Sequence, residues 1–458
     1  MSSLFGILSI ATGALGAEQG AMDATTNNVA NANTPGYSRL RPVLTESDPV
    51  VLGSVTYGQG VTLQKLESVR DPILQLRIQE EIQQQGQLNT SVSALQQAQV
   101  QFTSSSSDIG SQISNLFASL NQLSTDPTNL SLRQAVLTAA GNLATVLRNT
   151  SANLTQQRSS IDLTVSQAVQ QVNTLTGQIA ALNTQISQLQ GVKQDASAFV
   201  DQRDVLIGQL SSLIDVSTIK SDNGLTLTTS NGAALVVAGQ SFALTTQTNA
   251  SGLQDVYAQG VDITAKLPAG QLAGSIEVRD QKLPALLSGL DTLAAGLANA
   301  LNTANKTGFD LNGNPGGNLF VPPPLSGAGA AANLTVLITD PALIAASSDG
   351  TAGSNGNVAV LSAVQNQGVA GGQTPIGYYS NLVFGLGNEV ANSSAELSSS
   401  QLILNQLQDQ RGSISGVNLN EEAANMLQYQ NAYDAAAKVV TTINDMLKTV
   451  INMGTLTG

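Results

Sequence analysis

Between residues 418 and 453, apolar side chains recur in two interleaved seven-residue columns. One column is Leu419, Met426, Tyr433, Val440 and Leu447; the other is Tyr429, Ala436, Ile443 and Val450. Steps of three and four place both columns on one stripe of a helix, the seam of a coiled coil. Asn418 suits the N-cap, with Glu421 three residues later as in a capping box. Glu421 and Glu422 complement the positive end of the helix dipole and Lys448 the negative end. A stripe of this kind has to be covered. Either a helix of the same chain covers it, as in a bundle, or other subunits do.

The opposite end carries a second helical pattern, over residues 3–33. Leu8, Leu15, Met22 and Val29 recur at seven, with Ile7, Ala14 and Ala21 one position earlier. The stripe is built largely from small residues, which lets another helix approach closely. It runs into Asn27-Asn28-Val29-Ala30-Asn31-Ala32-Asn33-Thr34-Pro35-Gly36-Tyr37-Ser38-Arg39. Asn tolerates the left-handed conformation at a helix end, Pro35 pushes Thr34 into an extended conformation, and Pro35-Gly36 suits a type II turn.

Between these ends the helical period dominates. After Pro72 the expected buried face is Ile78, Ile82, Leu88, Val92 and Leu95, and the polar run 103–108 closes that helix. A helix over residues 109–123 ends at Asp126-Pro127, and Ser131 is placed to cap the next. Ile161, Val165, Ala168, Val172, Leu175, Ile179, Leu182, Ile186 and Leu189 then step by four and three. The opposite face is Gln, Ser, Thr and Asn, which fits the rod of a helical bundle better than a solvated dimeric zipper. Asp201-Gln202-Arg203-Asp204 opens a helix to about Leu213, and further helices run from about Leu283 to Ala304 and from Ser380. The period shortens to two in residues 41–70, a small hairpin, and in residues 215–269, short β-prone runs between Asn-Gly, Gly-Gln and Ser-Gly turns. The expected fold is mainly α: a discontinuous long-helix bundle or coiled-coil domain formed from N- and C-terminal parts, with an inserted small β domain.

Composition narrows the chemistry. The 458-residue chain is long enough for more than one domain, and its net charge of −13, without a local Lys/Arg cluster, argues against a nucleic-acid partner. With 11% charged residues, identical copies repel one another little on close packing. His and Cys are absent, which excludes Cys nucleophiles, Ser-His triads, disulfides and thiolate or imidazole metal sites. No catalytic residue, metal site or cofactor is expected, and the chain is read as no enzyme. No apolar run is long enough to span a bilayer, and the N-terminus lacks the basic region of a cleaved signal peptide. Asp310, Asn312 and Asn314 alternate as in a calcium loop, but Pro315 and Val321 fall where Gly and a bidentate Glu are needed. A Gly/Asn turn is the expectation there.

The segment 27–39 closely resembles the N-terminal signature of the axial proteins of the bacterial flagellum, and its Tyr-Ser-Arg ending resembles the hook-associated protein 1 branch. Ser415-Gly416-Val417-Asn418-Leu419-Asn420-Glu421-Glu422-Ala423-Ala424-Asn425-Met426-Leu427-Gln428-Tyr429-Gln430 resembles that branch's C-terminal signature. The likeness extends to several interior segments, among them residues 201–204, 270–280 and 340–347, but not to residues 219–269. It implies a structural junction protein that polymerises at the hook tip and connects hook to filament. The alternatives are a flagellin-like or other hook or rod axial protein, or a cell-wall hydrolase carried on axial-protein ends. It implies an extracellular place in the flagellum, reached through the flagellar type III apparatus. The implied partners are further copies, the hook protein, the next hook-associated junction protein and an export chaperone on the C-terminal helix. Residues 1–40 and 413–458 become terminal coiled-coil assembly segments, 41–214 and 270–412 a helical rod domain with a small hairpin, and 215–269 the β insert. By resemblance, the assembly role falls on Asn27, Asn28, Asn31, Asn33, Pro35, Gly36, Tyr37, Ser38 and Arg39, and on Glu421, Glu422, Asn425, Tyr429 and Gln430. The seam positions Leu8, Leu15, Met22, Leu419, Met426, Tyr433, Val440, Ile443, Leu447 and Val450 join them. The terminal helices are expected to pair only on incorporation.

Overall fold

The structure, a computed structural model, describes residues 2–52, 55–103, 108–221 and 224–455. The chain is mainly helical and divides into two compact units. The first comprises Met1–Gln83, Val172–Ala243 and Gln401–Gly458; the second comprises Gln84–Gln171 and Leu244–Ser400. Among the described residues, no helix is long and apolar enough to cross a membrane.

The chain opens with α1 (Ser2–Ala30), then β1 (Leu40–Glu46), β2 (Val50–Leu52), β3 (Val55–Tyr57) and β4 (Val61–Ser68). β1 pairs antiparallel with β4, and β2 with β3 at the tip. α1 packs on this hairpin: an added Cβ at Gly20 would strike the Leu63 side chain, and one at Gly13 would lie 3.3 Å from the Val61 carbonyl oxygen. Small residues at seven-residue spacing thus admit β4.

α2 (Pro72–Thr103) is capped by Asp71, whose Oδ1 accepts from the Ile73 and Leu74 N–H groups at 2.9 and 3.1 Å. The polar run expected to close it falls largely on residues 104–107, outside the described residues. α3 (Ile109–Leu123) starts on Asp108, which accepts from the Ser111 N–H at 2.6 Å. α4 (Leu130–Gly191) is capped by Asn129 rather than Ser131: Asn129 Oδ1 accepts from the Ser131 and Leu132 N–H groups at 2.9 and 3.3 Å. Its heptad positions Val165, Val172, Ile179 and Ile186 are buried. α5 (Ser197–Leu213) begins before the expected Asp201, after Asp195 has accepted the Ser197 N–H at 3.1 Å.

The strand-rich stretch 215–269 makes two sheets, not one. β5 (Ser217–Ser221), β6 (Gly224–Thr228), β7 (Ala234–Val237) and β8 (Gln240–Ser241) form an antiparallel meander in the first unit. β9 (Leu244–Thr248), β10 (Gln254–Ala258) and β11 (Val261–Asp262) form a second in the other unit. Polar side chains of α4 fix each sheet. Asn183 Nδ2 donates to the Leu225 and Ala238 carbonyls at 3.1 and 2.8 Å. Asp162 accepts from the Gln254 N–H at 2.8 Å and from the fully buried Arg279 at 2.7 Å.

In the second unit α6 (Gly270–Glu277) runs through a π-helical turn into α7 (Leu283–Lys306), so helix begins at Gly270 rather than near Leu283. α8 (Ala330–Asn333) and α9 (Gly356–Ala363) follow. The core gathers Leu95, Phe102, Leu116, Leu120, Leu143, Leu147, Leu290 and Leu297, among others. Asp310 is folded onto its own turn, accepting from the Asn312 and Asn314 N–H groups at 2.8 Å each. α10 (Pro375–Ser415) returns the chain to the first unit, and α11 (Leu419–Thr455) completes it.

Candidate assembly interface

Asn418 caps α11 as its position implies, accepting from the Asn420 N–H at 3.0 Å. The two acidic residues that follow do more than answer the helix dipole. Glu421 forms an ion pair with Arg39 at 2.7 Å, and Glu422, only 2% exposed, accepts from Asn28 Nδ2 at 3.0 Å. The signatures at the two ends of the chain therefore meet in space.

Asn28 is the centre of that meeting. It is 1% exposed, at the end of α1, and its amide is saturated. Nδ2 donates to the Leu40 carbonyl at 2.9 Å and to Glu422; Oδ1 accepts from the Leu40 N–H and the Tyr37 hydroxyl, each at 2.8 Å. The side chain pairs with Leu40 as a neighbouring strand would, and so fixes where β1 leaves the helix. Burial, then Asp201, Glu422 and Asp195, push the Tyr37 hydroxyl up to about 12, so it remains a donor at neutral pH.

The chain between Asn28 and Leu40 is equally constrained. The Tyr37 N–H donates to the Thr34 carbonyl at 3.2 Å, closing the turn at Pro35-Gly36, and Gly36 has φ +84°. A side chain at Gly36 would strike Val205 Cγ2, so glycine is required by both conformation and contact. Arg411 of α10 donates to the Gly36 carbonyl at 2.8 Å, and the Arg39 N–H donates to Ser415 at 2.9 Å. Ser38 Oγ donates to Asp201 at 2.9 Å, and Arg70 pairs with the same carboxylate at 2.8 Å. Burial pushes Asp201 up from the ordinary carboxylate range against the pull of Arg70.

Beyond this junction α1 and α11 pack along each other in one chain. The pair is thus formed by the two ends of a single chain. The fully buried positions of α1 are Ala11, Ala17, Ala21, Ala24, Thr25 and Asn28, not the column through Leu8. Leu8, Leu15 and Met22 are half-buried and Val29 is exposed. The reason is steric: α1 lies against both the hairpin and α11, and only small side chains fit its centre line. On α11, Ile443 is buried; Met426, Tyr429, Tyr433, Val440 and Leu447 are half-buried; Leu419 and Val450 are exposed. Asn425 is half-buried and Gln430 exposed, as are Asn33 and Pro35, while Asn31 Nδ2 donates to the Asn27 carbonyl at 3.0 Å.

One polar group in the helix pair is unsatisfied. Glu18 of α1 has a buried Oε2 with no hydrogen-bond partner, and burial raises its carboxyl above the usual range. Tyr429 faces it and is itself raised, by burial first and then by Glu18 and Glu422. A raised carboxyl favours the folded pair below the unfolded value of about 4.5 and withdraws that support as pH rises through the folded value. Glu18→Gln is therefore expected to stabilise the pair at pH 7 by up to about 1 kcal/mol. It should also flatten the loss of stability between mildly acid and neutral pH, as followed by helix-sensitive circular dichroism during melting.

Asp201, Arg70, Arg411, Leu40 and Ser415 hold the signature in place but were not among the expected site residues. Residues 201–204 and Ser415, the first residue of the C-terminal signature, carried a family likeness; Arg70, Arg411 and Leu40 carried no local signal.

Three family profiles match the chain. Residues 95–320 match "Flagellar hook-associated protein FlgK helical domain", residues 410–453 "Flagellar basal body rod FlgEFG protein C-terminal", and residues 8–37 "Flagella basal body rod protein". Flagellar hook-associated protein 1 of Bacillus subtilis (strain 168) is 31% identical, with 99% of each chain covered. That of Escherichia coli (strain K12) is 26% identical, over 99% of this chain and 100% of the relative. A solved structure, the flagellar hook junction protein FlgK from Burkholderia pseudomallei, superposes with a TM-score of 0.67 over 74% of this chain and 100% of its own; at 17% identity it shows the fold.

Proposed function

Since the chain belongs to the flagellar hook-associated protein 1 family, structural proteins of the flagellum, we propose that its α1–α11 pair is the element by which neighbouring copies assemble. One observation carries this reading. Val439 and Met446, seven residues apart on α11, stand exposed beside the seam, and the seam position Val450, four residues further on, is itself exposed. Phe5 and Ile7 of α1 are exposed as well, at 57% and 45%. Exposed apolar side chains recurring along one helix face mark an interaction site, and covering the exposed half of each contributes about 1 kcal/mol.

Residues 1–40 and 413–458 are then the assembly segments, and the Asn28–Glu422 junction fastens them to each other within the first unit. The partners are other copies, the hook protein on one side and the next hook-associated junction protein on the other. An export chaperone on α11 would cover the same stripe before assembly, and the type III apparatus would carry the chain out. The test is whether a cysteine at Met446, in a chain with no native cysteine, loses its reactivity on assembly.

A further inference from the structure

A cavity of about 480 Å³ opens in the first unit between the start of α2, the end of α4, α5, the β5–β6 edge and the end of α10. Arg70, Arg203, Lys220 and Arg411 line it, with two carboxylates, Asp71 and Asp204. We propose that this cavity binds a small oxyanion, a phosphate or carboxylate group, on Arg203 and Arg411 with Lys220 at its mouth.

The hydrogen bonds of these groups support the assignment. Arg70 is committed: it donates to Ser68, to the Ser197 carbonyl and to Asp201, and pairs at 3.4 Å with Asp204. Arg203 is not. Its contacts are long, 3.3 Å to Asn183 Oδ1 and 3.5 Å to Asp204, and its Nε is buried without a partner. Arg411 donates through Nη2 to Gly36, and Lys220 is exposed. A planar guanidinium presents five donors, and removing it from water without filling them is costly. Burial pushes the Arg203 guanidinium down, with Asp204 opposing, which is the electrostatic mark of an under-compensated cation. The carboxylates do not complete the site: Asp71 is spent on capping α2, and the single carboxylate of Asp204 is shared among Arg70, Arg203 and Arg411. An oxyanion would supply the missing acceptors in the geometry that arginine pairs with best.

The site reaches the assembly junction through Arg411, whose other contact is the Gly36 carbonyl. Occupancy should therefore steady the end of α10 and the turn that precedes β1.

The probe is inorganic phosphate titrated into the purified full chain at pH 7 and constant ionic strength, with sodium chloride as reference. Thermal unfolding should shift upward saturably with phosphate. Lys220→Ala, at the surface, should weaken the apparent affinity about threefold, and Arg203→Met should abolish the shift. Sedimentation velocity then separates two sources of the same chemistry. Binding by a monomer assigns the site to a free ion, and self-association reversed by phosphate assigns it to a carboxylate of a second copy. The proposal is overturned by an absent shift, or by an equal shift in Arg203→Met. If Arg203→Met does not fold, an unchanged affinity in Lys220→Ala by titration calorimetry overturns it instead.

Discussion

Asn28→Asp is expected to destabilise the first unit by about 3–5 kcal/mol, the range for leaving a buried charge without its partner. The substitution changes no volume. It replaces the two donations of Nδ2 with a second oxygen, placed at 2.9 Å from the Leu40 carbonyl and 3.0 Å from Glu422. Two carboxylates would then face each other in a site that is closed to water. Acid should rescue the variant, because the added carboxyl titrates above its usual range beside Glu422 and can donate once it is protonated. Glu422→Gln in the same chain should rescue it in part at neutral pH, returning a donor to the pair while the Leu40 carbonyl still faces an oxygen. Denaturant unfolding of the single and double variants gives the coupling directly. The second unit, whose core draws on neither end of the chain, should unfold as before. A parental midpoint in the single variant would remove Asn28 from the centre of the junction.

Tyr433→Asp is expected to abolish incorporation while the second unit stays folded. Tyr433 is half-buried on the stripe of α11, within the stretch that packs along α1. Aspartate there removes a half-buried ring and puts a charge on the apolar stripe, a combined loss of about 1.5–3 kcal/mol. The helix pair has little to spare, because among the described residues Ile443 is the only buried large apolar side chain on α11. In cells, filament-bearing individuals should fall at least about tenfold, the equivalent of 1.4 kcal/mol in an assembly equilibrium. Limited proteolysis of the purified variant should remove both ends of the chain and leave the second unit intact. Normal filaments in this variant would contradict an assembly role for the pair.

The stripe on α11 was legible because nothing interrupts its period and large apolar residues contrast with Asn, Gln and Asp. Its partner face on α1 was not. There the buried positions are alanine, and alanine carries little hydropathic contrast, so the eye falls on the larger Leu8, Leu15 and Met22 at the edge. The Pro35-Gly36 turn and the Asn418 cap follow from local chemistry and were read correctly. Glu421 looked like half of a capping box but pairs instead with Arg39, a partner remote in sequence and invisible to a local pattern. The same remoteness hid Arg70, Asp201 and Arg411, which act on the signature from other elements. Short alternating runs announced strands between 215 and 269, but alternation cannot say which strands pair. Asn183 and Asp162, standing on one helix, divide them into two sheets.

The most direct measurement uses the absence of native cysteine. Met446→Cys places one thiol on the exposed flank of α11, at a side chain that is 51% exposed. A water-soluble maleimide should label it rapidly in the purified chain and at least about tenfold more slowly in isolated flagella, where neighbouring copies cover it. Equal labelling in the two states, with the variant incorporated normally, would show that the stripe faces solvent in the assembled junction and that copies are joined elsewhere.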